Sequence, residues 1–372
     1  MMAARLIHTG NALVDLVVRV GSLPPRGGDV FARGGQTMPG GGLNLAAAAA
    51  RQGLAVVYAG AHGLGPRGDL VRSAMAREGV ELAGPPIAEV DTGLVVVMVE
   101  PDGERTFVTV PGAEARLDAE ALARVAVRDD DIVYLTGYSL AHRPNRTALV
   151  EWMAGLAPRV RLVFDPGPLA ARLARPALAA VTERADYLSA NLVEAAQLAG
   201  PAMPADRSAA TGAKSAQPPG SGESGPSGRR FAARTGDASP VGSARANPPP
   251  GTPQSGQAPS AAQLARRLAD EFDLAAVVRA GADGCFVAES GLARVVQLPA
   301  YPARVVDTNG AGDTHTGVLI AGLAAGLELT AAARRANAAA ALAIGVEGGA
   351  AGPGPDAVDA LLAASDLPIR VW

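Results

Sequence analysis

Asp307-Thr308-Asn309-Gly310-Ala311-Gly312-Asp313 is the stretch on which the reading of this chain turns. Arg304-Val305-Val306 before it has strand character, and helical spacing follows it to about residue 325. Small residues at a strand-to-helix junction let the backbone approach a ligand closely. The first N–H groups of the helix have no intrahelical partner and carry the positive end of its dipole. Such a junction suits a phosphate or a developing oxyanion. Asp313, at the helix start, is placed to take a proton beside that anion. The same residues also fit a plain glycine turn followed by an acidic helix start, so the rest of the chain has to decide.

Working outward, residues 5–20 read as a strand, with Val14, Leu16, Val18 and Val20 on one side. Residues 24–39 are too rich in glycine and proline to be helical. A small-residue helix is expected from Leu43 to a stop at Gly53, then a strand at 55–61 and a helix at 69–78. Residues 93–110 make the clearest hairpin, with strands at 94–99 and 106–110 around the turn Pro101-Asp102-Gly103-Glu104. Further strands are expected at 132–135, 160–164, 187–189, 275–279, 285–289 and 294–298. Helices are expected at 146–156, 192–198, 262–272, 313–325, 331–345 and 356–364. This alternation means a mainly parallel sheet covered by helices.

Residues 201–262 break the pattern. Pro, Gly, Ser and Ala dominate, and Met203, Phe231 and Val241 are almost the only large apolar residues. Too little surface can be buried there to offset the entropy of ordering. The expectation is a single domain over 1–372 that carries a disordered low-complexity insertion at 201–262.

Bulk composition excludes several classes. Hydrophobic residues make up 48% and charged residues 19%, as in a globular chain. A net charge of −3 leaves no basic footprint for nucleic acid, and 3% aromatics give no stacking platform. Only one of the 33 cations is a lysine, Lys214, and it falls in the insertion. A P-loop, a protein kinase and a Schiff-base enzyme each need a lysine at their centre, so all three are excluded if that segment lies outside the core. The single cysteine, Cys285, forbids an internal disulfide and suits a reducing compartment. The histidines His8, His62, His142 and His315 form no metal-spaced pair. No secretory leader is visible, and the alanine-rich stretch 43–50 is too short to span a bilayer. A soluble cytoplasmic protein is expected.

Other motifs give the opening stretch its context. Gly40-Gly41-Gly42-Leu43-Asn44 is followed by Gly53 and Gly63, and Asn191-Leu192-Val193-Glu194 and Arg279-Ala280-Gly281-Ala282-Asp283-Gly284 come later. Together, in this order, they resemble the signatures of the PfkB carbohydrate kinases, the ribokinase-like family. The resemblance covers residues 5–200 and 262–365. It implies a ribokinase-like three-layer α/β/α sandwich with a small β-sheet lid from about 12–38 and 93–110. It also implies a phosphotransferase that moves the γ-phosphoryl group of ATP to a hydroxyl, expected to be primary, of a carbohydrate.

The resemblance assigns roles. Asp313 is the base, and Gly310, Ala311 and Gly312 form the anion hole. Asn191 lies near the phosphates, and Glu194 organises Mg²⁺. Arg279, Gly281 and Gly284 line the nucleotide side, with Asn337 near the adenine. Asp15, Gly41, Gly42 and Asn44 serve the sugar. Asp307 and the Asn309 carbonyl contribute to a monovalent-cation (K⁺) site behind the anion hole. A homodimer through the lid is implied, with no nucleic-acid or membrane partner. A nucleoside kinase of the same fold and a non-catalytic sugar-binding regulator are the alternatives.

Taken alone, several of these residues have plainer readings. Asp15 fits a strand-end carboxylate, Asn44 a helix cap, Glu194 a surface helix position and Asn337 an ordinary helix position. Arg105 fits either a contact to an acidic substrate group or a solvated lid face, and His315 either the acceptor or packing beneath the site. The chain also departs from the family. Leu13 stands where ribokinase has asparagine, and Gly41 falls near the position of its first-signature lysine, which puts ribose in doubt. Arg279 replaces a threonine or lysine, Thr314-His315-Thr316 replaces a small-then-aromatic sequence, and Val318 is bulkier than usual. Gly63-Leu64-Gly65-Pro66-Arg67-Gly68 also matches a dinucleotide fingerprint, but a lone match is weak.

Overall fold

Apolar residues alternate between two cores along the central strands. In β1 (Arg5–His8) Leu6 faces one core and Ile7 the other. This period-2 pattern with both faces buried is what a parallel sheet between helical layers requires. The computed structural model describes residues 3–200, 260–365 and 367–372. The expected insertion, with Lys214, lies outside the described residues as far as residue 259.

The chain continues through β2 (Ala12–Arg19), β3 (Gly34–Gly41), α1 (Gly42–Arg51), β4 (Ala55–Tyr58), α2 (Pro66–Arg77) and β5 (Glu81–Leu82). Next come β6 (Leu94–Val99), β7 (Arg105–Val110), α3 (Ala119–Ala123), β8 (Ile132–Thr136), α4 (Gly137–Ala141), α5 (Arg143–Ala154) and β9 (Arg161–Asp165). α6 (Arg175–Arg184), β10 (Tyr187–Asn191) and α7 (Leu192–Ala199) precede the gap, and α8 (Ala261–Phe272) follows it. β11 (Ala275–Arg279), β12 (Cys285–Glu289), β13 (Val295–Leu298), α9 (Ala311–Ala324), α10 (Leu329–Ala343), α11 (Pro355–Ala364) and β14 (Arg370–Val371) complete it.

The large sheet has the order β14-β13-β12-β11-β10-β9-β8-β1-β4-β5. From β5 to β11 every pairing is parallel, and β11 to β14 pair antiparallel. On one face Ile132, Tyr134, Val163 and Val277 meet Leu45 of α1, Met75 of α2, Leu319 of α9 and Ala336 of α10. On the other, Val133, Leu162, Phe164 and Val278 meet Leu122 of α3, Leu149 of α5, Val181 of α6 and Leu268 of α8. The expected three-layer sandwich is therefore present, and bulky Val318 is absorbed as a buried residue of α9.

A second sheet, β3-β2-β6-β7, forms the lid. The hairpin β6–β7 pairs from Leu94 with Val110 to Val99 with Arg105, close to its expected bounds. β3 is a strand that the sequence did not announce. Its residues Gly-Gly-Gln-Thr-Met-Pro-Gly-Gly lack a strand pattern, and eight rungs of pairing with β2 hold them extended. The helices α4 and α6 also lack a clear sequence signal: α4 has only five residues, too few to show a period, and α6 carries charged and polar residues at both ends of a short alanine-rich middle.

Candidate active site

Neighbouring strands of the large sheet end at one place. Thr136 ends β8, Asp165 ends β9, Asn191 ends β10 and Arg279 ends β11, and all line one pocket of about 370 Å³. The carboxyl ends of parallel strands are where an open α/β sheet leaves room for a ligand. Asp15 and Phe107 enter from the lid, Asn44 from α1, and Gly310, Gly312 and Asp313 from the start of α9.

Gly310 turns the chain into α9. Its φ is 72°, and an added Cβ would collide with the Gly349 carbonyl oxygen, so glycine is required on both counts. The Thr314 N–H donates to the Gly310 carbonyl at 2.7 Å and closes the first turn. Of the groups ahead of it, the Ala311 N–H donates to the Thr308 carbonyl at 3.4 Å, and Gly310 and Gly312 line the pocket at the positive end of the helix.

Asp313 sits on that first turn, and the Asn44 Nδ2 donates to its Oδ2 at 3.1 Å. Burial pushes the Asp313 carboxyl up to about 6; the Asn44 hydrogen bond opposes this, Asp165 adds to it and Arg279 opposes it. Burial also raises Asp15, to about 6, with the Asp313 charge adding and Arg105 opposing. Two carboxyls lifted toward neutrality in one pocket are suited to proton transfer. Asn44 is buried, and its Oδ1 has no hydrogen-bond partner among the described residues. A buried acceptor of this kind is costly unless a ligand satisfies it. Gly41, with φ 60°, and Gly42, whose N–H donates to the Asn11 carbonyl at 2.7 Å, fold the chain against the β1–β2 connection beside Asn44.

Arg279 lies in the floor of this pocket. Its Nη1 donates to Thr316 Oγ1 at 2.6 Å, Ser189 Oγ at 3.1 Å, Asp165 Oδ2 at 3.2 Å and the Gly312 carbonyl at 3.3 Å. Its Nη2 reaches Asp165 Oδ2 at 3.3 Å and Glu194 Oε2 at 3.4 Å. The guanidinium is thus fixed directly behind the Gly310–Gly312 turn. Asn191 and Glu194 form a capping box at the start of α7: the Glu194 N–H donates to Asn191 Oδ1 at 2.9 Å, and the Asn191 N–H to Glu194 Oε2 at 2.8 Å. Burial and then the Asp165 charge raise the Glu194 carboxyl, against the pull of Arg279.

The chemistry of these donors fits Mg²⁺ in one mode only. Among the described residues no group of three or more His, Cys, Asp or Glu could hold a metal. Mg²⁺ commonly keeps several waters and takes one or two carboxylates together with phosphates. Glu194 and Asp165, flanking Arg279, offer that. Asp165 was missed in the sequence; the signal available was a carboxylate ending a strand before Pro166-Gly167-Pro168. Tyr138 of α4, half-exposed in the same pocket, had no signal.

Three expected nucleotide residues lie outside this pocket. Gly281 and Gly284 shape the β11–β12 turn with φ of 57° and 81°. Asn337 is buried; its Nδ2 donates to the Leu298 and Pro299 carbonyls at 3.0 Å each, and its Oδ1 lies 3.1 Å from His315 Nε2. The amide therefore braces α10 and has no free donor for an adenine. His315 is buried against it, pushed down to about 3 by burial and then by Arg279, so it is neutral and packs beneath the site.

Asp307 lies behind the turn, with Asn309, in a second cavity of about 620 Å³ between the lid and the body. Its Oδ1 accepts the Asn309 N–H at 2.9 Å and its Oδ2 the Gly348 N–H at 3.1 Å. Arg105 of β7 completes the set with an ion pair to Oδ1. Burial pushes this carboxyl up, but the two N–H groups and Arg105 outweigh it and hold it below the usual carboxylate range. Where a monovalent cation was expected, a guanidinium already faces Asp307.

A model of the pfkB family carbohydrate kinases matches residues 3–218 and 252–356. The chain belongs to this family. It is 29% identical over 345 residues to an uncharacterized sugar kinase of Escherichia coli K12, YegV, across 92% of this chain and 89% of that one. It is 33% identical over 198 residues to an ATP-dependent ribose-1-phosphate kinase of Halopiger xanaduensis, across 52% of this chain and 64% of that one. Among solved structures, Arabidopsis thaliana ribokinase complexed with ribose and ATP superposes with a TM-score of 0.68 at 23% identity, covering 97% and 99% of the two chains. Giardia lamblia ribokinase gives 0.71 at 18% identity, covering 98% and 99%. These likenesses establish the ribokinase fold, and the family makes the chain a kinase of the sugar and nucleoside class. No helix among the described residues is long and apolar enough to cross a membrane.

Proposed function

We propose that this chain is an ATP-dependent sugar kinase acting on a hydroxyl, a primary alcohol, of a carbohydrate. The observation that carries the reading is Asp313 itself. It is a half-buried carboxylate at the start of a helix, behind a left-handed glycine turn, and Asn44 and Asp15 line the same pocket. Asp313 takes the proton of the acceptor hydroxyl as that oxygen becomes the nucleophile. The N–H groups of Gly310, Ala311 and Gly312 face the charge that develops beside it. Asp15 and Asn44 hold sugar hydroxyls, and Gly41 and Gly42 let the sugar approach.

ATP supplies the transferred group and Mg²⁺ its charge neutralisation, with Asn191, Glu194 and Asp165 as the residues that would hold them. Arg279 fixes Asp165 and Glu194 in place and adds a positive charge on that wall. Gly281 and Gly284 shape the nucleotide side. The lid covers the acceptor and keeps out water that would compete for the phosphoryl group. Phe107, Val108 and Val110 leave the β7 edge apolar and exposed, which supports a homodimer paired through the lid. A chain whose one cysteine is buried suits the cytoplasm.

Phe107 and Tyr138 on the pocket wall favour a second reading, a nucleoside acceptor whose base lies against these rings. An ATP-consumption screen over pentoses, hexoses, keto-acids and nucleosides decides between them. The expected result is Mg²⁺-dependent turnover with a sugar. Turnover with nucleosides alone selects the second reading, and no turnover with any acceptor overturns both.

A further inference from the structure

The loop that carries the proposed anion hole is held from behind by Asp307, and the contacts of that carboxylate among the described residues can all be named. Oδ1 accepts the Asn309 N–H, Oδ2 accepts the Gly348 N–H, and Arg105 pairs with Oδ1. The Asp307 and Val306 N–H groups both donate to the Ile344 carbonyl, at 3.1 and 2.7 Å. What converges on the carboxylate is therefore two backbone donors and a guanidinium, whereas a potassium ion needs a shell of oxygen acceptors with no cation beside it. The donor set does not fit the ion that the family resemblance implies.

Arg105 does fit. It sits on β7 of the lid, 202 residues from Asp307 in sequence, and the two side chains are only 21% and 17% exposed. A second lid arginine, Arg19, pairs with Glu347 of the adjoining loop at 2.7 Å, but those side chains are 60% and 61% exposed and open to solvent. An exposed pair holds little, and a sheltered one is screened much less. Arg105 is thus the lid cation that can act on the turn. Asp307 in turn holds the Asn309 N–H, one residue before Gly310.

We propose that Arg105 is a positioning residue that takes the place of a monovalent metal: the lid brings its guanidinium to Asp307 and so sets the Asp307–Asp313 turn without potassium. This inference rests on the kinase reading for its catalytic consequence, and its own observable is the response to cations.

The test measures phosphoryl transfer by the wild type, Arg105→Ala and Arg105→Lys in equal concentrations of KCl, NaCl, guanidinium chloride below denaturing levels and tetramethylammonium chloride. The wild-type rate is expected to be the same within about twofold in all four. Arg105→Ala is expected to lose at least tenfold in tetramethylammonium and to regain most of it with potassium or guanidinium, and Arg105→Lys to remain indifferent to the salt. Potassium stimulation of the wild type by fivefold or more overturns the proposal, as does an Arg105→Ala enzyme that neither small cation rescues. The thermal midpoint of the same proteins, read without substrate, gives the answer independently of turnover. Potassium should raise it in Arg105→Ala and leave the wild type unmoved; a rise in the wild type equal to that in the variant overturns the proposal. An inactive wild type with that thermal pattern would count against the kinase reading and leave the cation assignment standing.

Discussion

Asn44 at the start of α1 donates a hydrogen bond from Nδ2 to Asp313 Oδ2 at the start of α9, at 3.1 Å and 269 residues away in sequence. The bond stabilises the charged carboxylate against burial, which pushes the same group up to about 6. One side chain thereby orients the proposed base and sets its proton affinity, while its other amide atom, Oδ1, is buried without a hydrogen-bond partner among the described residues.

Asp313→Asn removes the proton acceptor and keeps the shape. We expect kcat to fall by about 10³ or more, while nucleotide affinity measured by calorimetry stays within a few-fold of wild type. Turnover near the wild-type level would remove Asp313 from the proposed mechanism.

Asn44→Ala deletes the donor to the carboxylate. Loss of a hydrogen bond to the charged form raises the pKa, so the acid limb of kcat/KM, expected near pH 6 in the wild type, should move to higher pH. A profile that keeps its acid limb and only loses height would show that Asn44 binds substrate without tuning the base.

The same burial has a cost in stability. An aspartate with an ordinary value of 3.8 that titrates near 6 in the folded protein binds its proton more tightly there than in the unfolded chain. Its contribution is most favourable below pH 3.8 and is lost as the pH rises through about 6. Two units correspond to roughly 3 kcal/mol. In ligand-free protein, Asp313→Asn should therefore be more stable than wild type at pH 8 in urea unfolding, by about 2 kcal/mol, with the gain vanishing toward pH 4. An equal difference at both pH values would assign the gain to packing.

Arg279→Met should destabilise the protein by about 3–5 kcal/mol, because it leaves the buried Asp165 and Glu194 without their cation. Arg279→Lys keeps the charge but cannot reproduce the four-way contact of Nη1, and should fall between the two. Chemical denaturation of both variants checks the order. If Arg279→Met matches the wild type, the cluster contributes no net stability.

Much of the fold was legible because its signals are local. A strand with both faces apolar, a helix of small residues and the Pro101–Glu104 turn each report on their own few residues. The glycine turn that opens α9 was legible for the same reason: Gly310 is required by its own φ, and Asp313 follows by helix geometry. Asp165 was harder to find, since a carboxylate at a strand end becomes a site residue only when neighbouring strands end beside it. Asn337 could be read either way until the carbonyls of Leu298 and Pro299 took its donors.

By itself, then, the amino-acid sequence determined the parallel alternation, the glycine turn, the order of the motifs and the absence of any lysine among the described residues that could serve a phosphate. The tertiary structure alone decided which charges meet. β3 is extended because β2 pairs with it; Arg279 lies under Gly312 and beside Asp165 and Glu194 because β9, β10 and β11 end in one pocket; and Arg105 reaches Asp307 because the lid sheet sits over the Asp307–Asp313 turn. The physical reason is range. Backbone preferences and hydrophobic periodicity act over a few residues, whereas an ion pair joins groups that only the packed chain brings within a few ångströms.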